Sequence, residues 1–346
     1  MSLYLLTFQN YASIPDKKYI FYRRVINALF SEHDSKTKLG FVREKQCGLD
    51  QEQFEEILKS FSFLSYFESE FVFDSDYIMK KLKIIKSKKS IEFDNNSFIT
   101  DLKSAISLWV DDDGEISFSH RSLQEYFTAL FISELKETEN RRVYEKIINK
   151  FDTKHNLLIR EIENLLLLLK EIDLYNYTQY FHYNLLLTLK KDFESIPQDT
   201  NEKKLVRFFM EGFVNRRLIS KSNDSINIFP MRTALLRKTI YIHIPFTKKL
   251  NEYLIQELKD NKIFDYKIDN FVNSKTKRQT DASFKLVTSH LEFTDELFDE
   301  FFNLLDQDFI SQLTKEFVLF LDTEILETEE FIKETKTNEK DLVDLI

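Results

Sequence analysis

ISFSHRSLQEYFTALF, residues Ile116 to Phe131, is the stretch from which the rest of the chain is read. Just before it, Ser107-Leu-Trp-Val110 and Ile116-Ser-Phe118 are two β-prone runs joined by the turn Asp111-Asp-Asp-Gly114. Asp and Gly tolerate the positive φ that a tight hairpin needs, so the pattern predicts a hairpin over roughly 107–119. Ser119 stands where an N-cap belongs, and Leu123, Phe127, Leu130 and Phe131 recur at i, i+4, i+7 and i+8, one apolar stripe of a helix. His120 then falls in the first turn, beside backbone N–H groups and the positive end of the macrodipole, a good place to meet a phosphate. Pattern and spacing alone say only that a histidine starts a helix. A histidine that caps or packs locally fits them as well.

Phe118, His120, Leu123, Gln124, Glu125, Tyr126, Phe127 and Ala129 form a longer motif. It resembles the winged-helix signature of NACHT-type STAND NTPases, Phe-x-His-x-x-Phe-Gln-Glu-Tyr-Phe-x-Ala, with Leu123 where the family usually has Phe. The class includes NOD-like receptors and bacterial anti-phage NACHT proteins. The resemblance implies that His120 reaches the phosphates of bound ADP and holds a closed resting state.

Upstream, Tyr4-Leu-Leu-Thr-Phe8, the helix expected from Pro15 to about Ser31, Phe30-Ser-Glu-His33-Asp34 and Phe61-Ser-Phe-Leu-Ser-Tyr66 resemble the helical domain and following pieces of bacterial members. The family's adenine-contacting proline would fall just before Tyr4, where Ser2-Leu3 stand. The resemblance covers about the first two fifths of the chain. It implies a helical domain over 1–37 that follows a nucleotide-binding core, a winged-helix domain over 38–135 and a helical C-terminal sensor over 136–346. On that reading the chain begins inside a larger architecture, and the core lies on the same or a separate polypeptide.

Composition agrees with a mainly α protein. The 346 residues hold 34 Phe and 15 Tyr but only 4 Gly and 4 Pro, which favours long helices with short connections. Gly48-Leu-Asp50 caps a helix from Gln51 to Phe61. Phe71-Val-Phe73 is a strand candidate, Asp74 or Ser75 starts a helix to about Lys86, and Asn95 or Asn96 starts another through Ser104. Later, Asn156–Ile172 reads as a strongly apolar helix, Tyr175–Phe193 carries a run of tyrosines with His182, and Leu205–Phe213 is helical. Leu218-Ile-Ser-Lys221 and Ser225-Ile-Asn-Ile-Phe229 make a second hairpin plausible, Thr239–Ile244 fits strand or helix, and 247–264 and 291–334 return to helical period.

The absences bound the chemistry. The chain has no GxxxxGK[ST] loop, no apolar strand ending in a Mg²⁺-binding Asp pair and no metal-ligand spacing among its histidines and Cys47. The expectation is no catalysis and no cofactor for this chain alone, with ADP or ATP and Mg²⁺ in the parent architecture. One cysteine and no signal peptide or membrane-length apolar run point to the cytoplasm, away from membranes. A free-standing winged-helix transcription regulator is the alternative. It draws on the lysine run at 80, 81, 83, 86, 88 and 89, while the signature helix lacks a basic stripe and nucleic acid is disfavoured.

Charge is uneven. Residues 291–346 carry 4 Lys against 17 Asp+Glu, net −13, whereas 137–290 carry 27 Lys+Arg against 20, net +7. The imbalance predicts that the acidic tail packs on the basic section, and that this composite surface is where a foreign protein, a phage product on the family reading, is sensed.

Overall fold

The computed structural model describes residues 15–35, 45–152, 158–210, 213–220, 224–230, 247–260, 276–280, 284–290 and 295–345. The run Tyr4–Tyr11 and the segment Thr239–Ile244 lie outside them. The protein is mainly α, as its composition requires. It divides into two compact units, residues 1–143 with 160–177, and residues 144–159 with 178–346.

In the first unit, α1 (Lys18–Ser35) buries Tyr22, Val25, Ile26, Ala28 and Phe30. Helix α2 (Gln51–Phe67) starts at a full capping box. The Asp50 side chain accepts from the Gln53 amide at 2.8 Å, and the Gln53 side chain accepts from the Asp50 amide at 3.1 Å. The expected end at Phe61 comes six residues later, because Tyr66 continues the buried face. Strand β1 (Val72–Phe73) follows, then α3 (Ser75–Lys89), capped by Asp74. Next, α4 (Asn95–Thr100) is capped by Asp94 rather than by Asn95 or Asn96, since the Asp94 carboxylate accepts from the Ser97 amide at 2.8 Å. It widens into a π turn, Asp101–Ala105.

The hairpin is formed by β2 (Trp109–Asp112) and β3 (Glu115–Phe118), with Asp113 and Gly114 at φ 52° and 92°. Two successive residues with positive φ match the right-handed twist of the strands they join. Strand β3 lies between β1 and β2 in an antiparallel sheet of order β1-β3-β2. Trp109 is the hub beneath it, with ring centroids 5.2 Å from Phe61, 6.0 Å from Phe118 and 6.3 Å from both Phe73 and Phe98.

The signature helix α5 (Arg121–Ser133) starts two residues beyond Ser119, and its N-cap is His120, not Ser119. The reason lies at the end of the hairpin: the Ser119 amide donates to Leu108 O at 2.8 Å, which ties Ser119 to the segment just before β2. Helices α6 (Glu137–Asp152) and α7 (Leu158–Ile172) follow. Although α7 falls within the stretch read as C-terminal, its residues from 160 belong to the first unit, where Ile162, Leu165, Leu166, Leu168 and Leu169 are buried.

A wide turn over Tyr177–His182, from its second residue in the second unit, leads into α8 (Tyr183–Glu194), then α9 (Asn201–Met210). Strands β4 (Phe213–Ser220) and β5 (Asp224–Pro230) form the second hairpin. Helix α10 (Thr247–Asp260) comes next, and β6 (Thr276–Thr280) and β7 (Phe284–His290) complete a four-stranded antiparallel sheet of order β5-β4-β7-β6. The helical reading of 136–346 therefore gains a sheet. Strand β6, TKRQT, is polar throughout, and β7, FKLVTSH, holds Phe284, Leu286 and Val287 without a sustained alternation, so period alone does not mark the pair. The acidic tail is α11 (Asp295–Leu304) and the 37-residue α12 (Gln307–Val343), and α12 packs on α8 and α9. Phe317 is the knob, 4.9 Å from Phe193 and 5.8 Å from Phe208.

Candidate functional site at the N-terminus of the signature helix

The signature residues separate into one that faces outward and a set that fixes the helix. His120 is exposed, in extended backbone, and its imidazole makes no capping hydrogen bond. Its carbonyl accepts from the Leu123 amide at 2.9 Å. The ring therefore stands at the positive end of a 13-residue helix with its nitrogens not committed to the cap. Next to it, the Arg121 guanidinium lies 3.8 Å from the centroid of the Phe71 ring.

The remaining signature side chains are interior. Phe118 packs against Trp109 and Phe73 under the sheet. Gln124, 1% exposed, donates to Ser65 Oγ at 2.8 Å and to Glu70 O at 3.0 Å, tying α5 to the end of α2. Tyr126 stacks near Tyr22 of α1 at 5.6 Å, and burial pushes its hydroxyl up to about 12. Phe127 is fully buried.

Glu125 is the unexpected member. The residue is 5% exposed, and its carboxylate accepts from Asn164 Nδ2 at 2.7 Å and lies 3.4 Å from Arg121 Nε. Asn164 Oδ1 in turn accepts from Lys18 Nζ at 3.3 Å, and the Tyr19 amide donates to Glu171 at 2.9 Å. Burial raises the Glu125 carboxyl, against the pull of Asn164, Arg121 and Lys18. Sequence reading finds Glu125 but misses Asn164. The one available signal is an amide at the edge of the apolar run Leu165–Leu169.

Further polar ties join α1 and α2, where Arg23 Nη1 donates to both Glu55 oxygens at 3.0 and 2.7 Å. Asp101, 1% exposed, accepts from the Gln46 amide and from the Cys47 amide at 2.9 Å. Burial and the neighbouring Asp101 push the Cys47 thiol up to about 12, which favours the thiol over the thiolate at neutral pH.

Three of the six lysines of the run are engaged within the protein. Lys81 meets Glu68 at 2.5 Å, Lys89 meets Glu56 at 2.9 Å and Lys86 donates to Phe93 O. The hairpin tip is acidic, and Asp111 accepts from Lys103 at 2.7 Å. Among the described residues no group of His, Cys, Asp and Glu could hold a metal ion, and no helix is long and apolar enough to cross a membrane.

Comparison with protein-family models, with curated proteins and with solved structures finds no match. The functional reading accordingly rests on the residues themselves.

Proposed function

We propose that this chain is the regulatory and sensing part of a bacterial NACHT-type STAND NTPase acting in anti-phage defence, with a winged-helix domain that holds an ADP-bound closed state. The observation that carries the reading is the division of the signature: Phe118, Gln124, Glu125, Tyr126 and Phe127 are buried and immobilise α5, while His120 alone projects from its N-terminus. A rigid helix end with one outward imidazole suits a ligand supplied by another segment. The order helix, strand, two helices, hairpin, with the sheet order β1-β3-β2, supports the winged-helix reading.

In this mechanism the bound ADP supplies the phosphate charge. His120 donates to it, the helix N-terminus favours it electrostatically, and the buried signature keeps the imidazole in place. A trigger captured by the C-terminal part shifts the equilibrium towards an open, oligomerising form, because it favours one state over the other. The reading as a DNA-binding regulator loses support from an acidic hairpin tip and from lysines paired with Glu68 and Glu56.

The test supplies a nucleotide-binding core to the chain and measures ADP by titration calorimetry. His120→Ala is expected to weaken ADP roughly tenfold, the worth of a charge-assisted contact, and to raise basal oligomerisation. The chain without the core is expected to turn over no ATP. An unchanged ADP affinity in His120→Ala would leave the imidazole with a local structural role and refute the reading.

A further inference from the structure

Helix α7 holds two other helices of the first unit at or near their starts. Asn164 uses both ends of its amide: Nδ2 donates to Glu125 Oε2 of α5 at 2.7 Å, and Oδ1 accepts from Lys18 Nζ of α1 at 3.3 Å. Seven residues further along α7, Glu171 Oε2 accepts from the Tyr19 amide at 2.9 Å. That amide is among the first-turn N–H groups that have no partner inside α1, and the first turn of α1 holds no acid of its own. Glu171 supplies the acceptor and the negative charge that a helix N-terminus favours.

The tie to Glu125 reaches the candidate site. Glu125 gives one oxygen to Asn164 and the other to Arg121, and Arg121 directly follows the cap residue His120. Losing Asn164 would leave the carboxylate of a residue only 5% exposed short of a hydrogen bond. That is costly enough to turn the side chain or draw in water, and either change acts on Arg121, one turn away. The path of the chain shows how the ties could be drawn off. It leaves the first unit after Val143, returns at Arg160 and leaves again after Tyr177. Both ends of the stretch that carries Asn164 and Glu171 therefore run on into residues of the second unit, whereas 1–143 is continuous within the first. The buried face of Ile162, Leu165, Leu166, Leu168 and Leu169 seats α7, and the polar ties fix its register.

We propose that Asn164 and Glu171 are positioning residues for the His120 site, and that α7 is a latch. Seated, it holds Glu125 and the start of α1. A change in the second unit, carried along the chain at either end of α7, releases both. In naming His120 as the output, the proposal rests on the regulatory reading above, and it adds the residues through which capture of a trigger reaches the end of α5.

The test has two arms. In the full chain, amide hydrogen exchange is followed over α1, α2 and α5. Asn164→Leu is expected to speed exchange in the first turns of α5 roughly tenfold, the worth of a hydrogen bond to a charged group, and to leave α2 unchanged. Glu171→Ala is expected to speed the Tyr19 amide alike. The exchanged pair Glu125→Gln with Asn164→Asp should restore α5, because the new amide donates to the new carboxylate and Lys18 keeps its partner. Acceleration shared by α2, or no rescue by the pair, would make α7 a general prop and overturn the proposal. In the second arm the chain is supplied with a nucleotide-binding core and ADP is titrated. Asn164→Leu is expected to weaken ADP by up to about tenfold, and the double variant with His120→Ala to bind no more weakly than His120→Ala alone. Additive losses, or an Asn164→Leu variant that binds ADP normally where His120→Ala does not, overturn the proposal. A His120→Ala variant with unchanged ADP affinity refutes the regulatory reading instead, and the exchange arm alone then decides the latch.

Discussion

Glu125 shows how a recognisable residue can carry a role that its motif does not announce. It sits in the most legible part of the chain, but its environment is made by Asn164 and Lys18, 39 residues downstream and far upstream. Burial raises its carboxyl above the ordinary value of 4.5. The folded state therefore binds the proton more tightly than the unfolded chain. Its contribution to stability is fully present below about 4.5, the unfolded value, and is lost as pH rises through the folded value. Glu125→Gln keeps the shape, removes the titration and should flatten that part of the stability curve. Denaturant melts of both proteins at pH values from below 4.5 upward decide the matter. Parallel curves would mean that Glu125 titrates alike in both states. At the same scale, serines replace scarce glycine: Ser69, Ser90 and Ser107 take φ of 62°, 54° and 59°, in a chain with only 4 Gly.

At the scale of elements, the hairpin was legible because its turn chemistry is local. Asp113 and Gly114 both need positive φ, and nothing lies within 4 Å of where a Gly114 side chain would begin. Gly114→Ala should thus cost about 1 kcal/mol, all of it conformational, while Gly114→Asn should cost less because Asn tolerates the left-handed region. Equilibrium unfolding measures both, and a stabilising Gly114→Ala would show that the turn relaxes to another type. The caps of α2 and α3 were legible for the same reason, as Asp50 and Asp74 act on amides three residues away. The start of α5 was displaced from Ser119 to His120 because the competing hydrogen bond comes from Leu108, just before β2.

At the scale of the whole molecule, the charge asymmetry of the sequence becomes a set of pairs within the second unit. Lys190 meets Asp322, Lys203 meets Asp299 at 2.9 Å and Arg207 meets Asp295 at 3.4 Å, each base from the middle section and each acid from the tail. Pairs as exposed as Lys190–Asp322 contribute about 0–1 kcal/mol, whereas burying a side chain such as Phe317 or Leu313 contributes about 1.5–3 kcal/mol. The tail is accordingly held by its apolar stripe, and charge sets its orientation. Raising salt from about 0.1 to 1 M should shift the melting of the second unit little. Deleting 291–346 should remove hydrogen-exchange protection from α8 and α9 and leave α2 to α5 protected. Retained protection of α8 and α9 would make the tail a passive extension.

The sequence by itself determined the mainly α class, the hairpin and the caps of α2 and α3, all set by steric and hydrogen-bonding rules acting within a few residues. Tertiary structure decided the rest. The four-stranded sheet depends on β4 meeting β7 from about 70 residues away, through backbone groups that every residue type but proline carries. The placement of 160–177 in the first unit depends on which buried faces meet, and an apolar stripe states that it must be covered without stating by what.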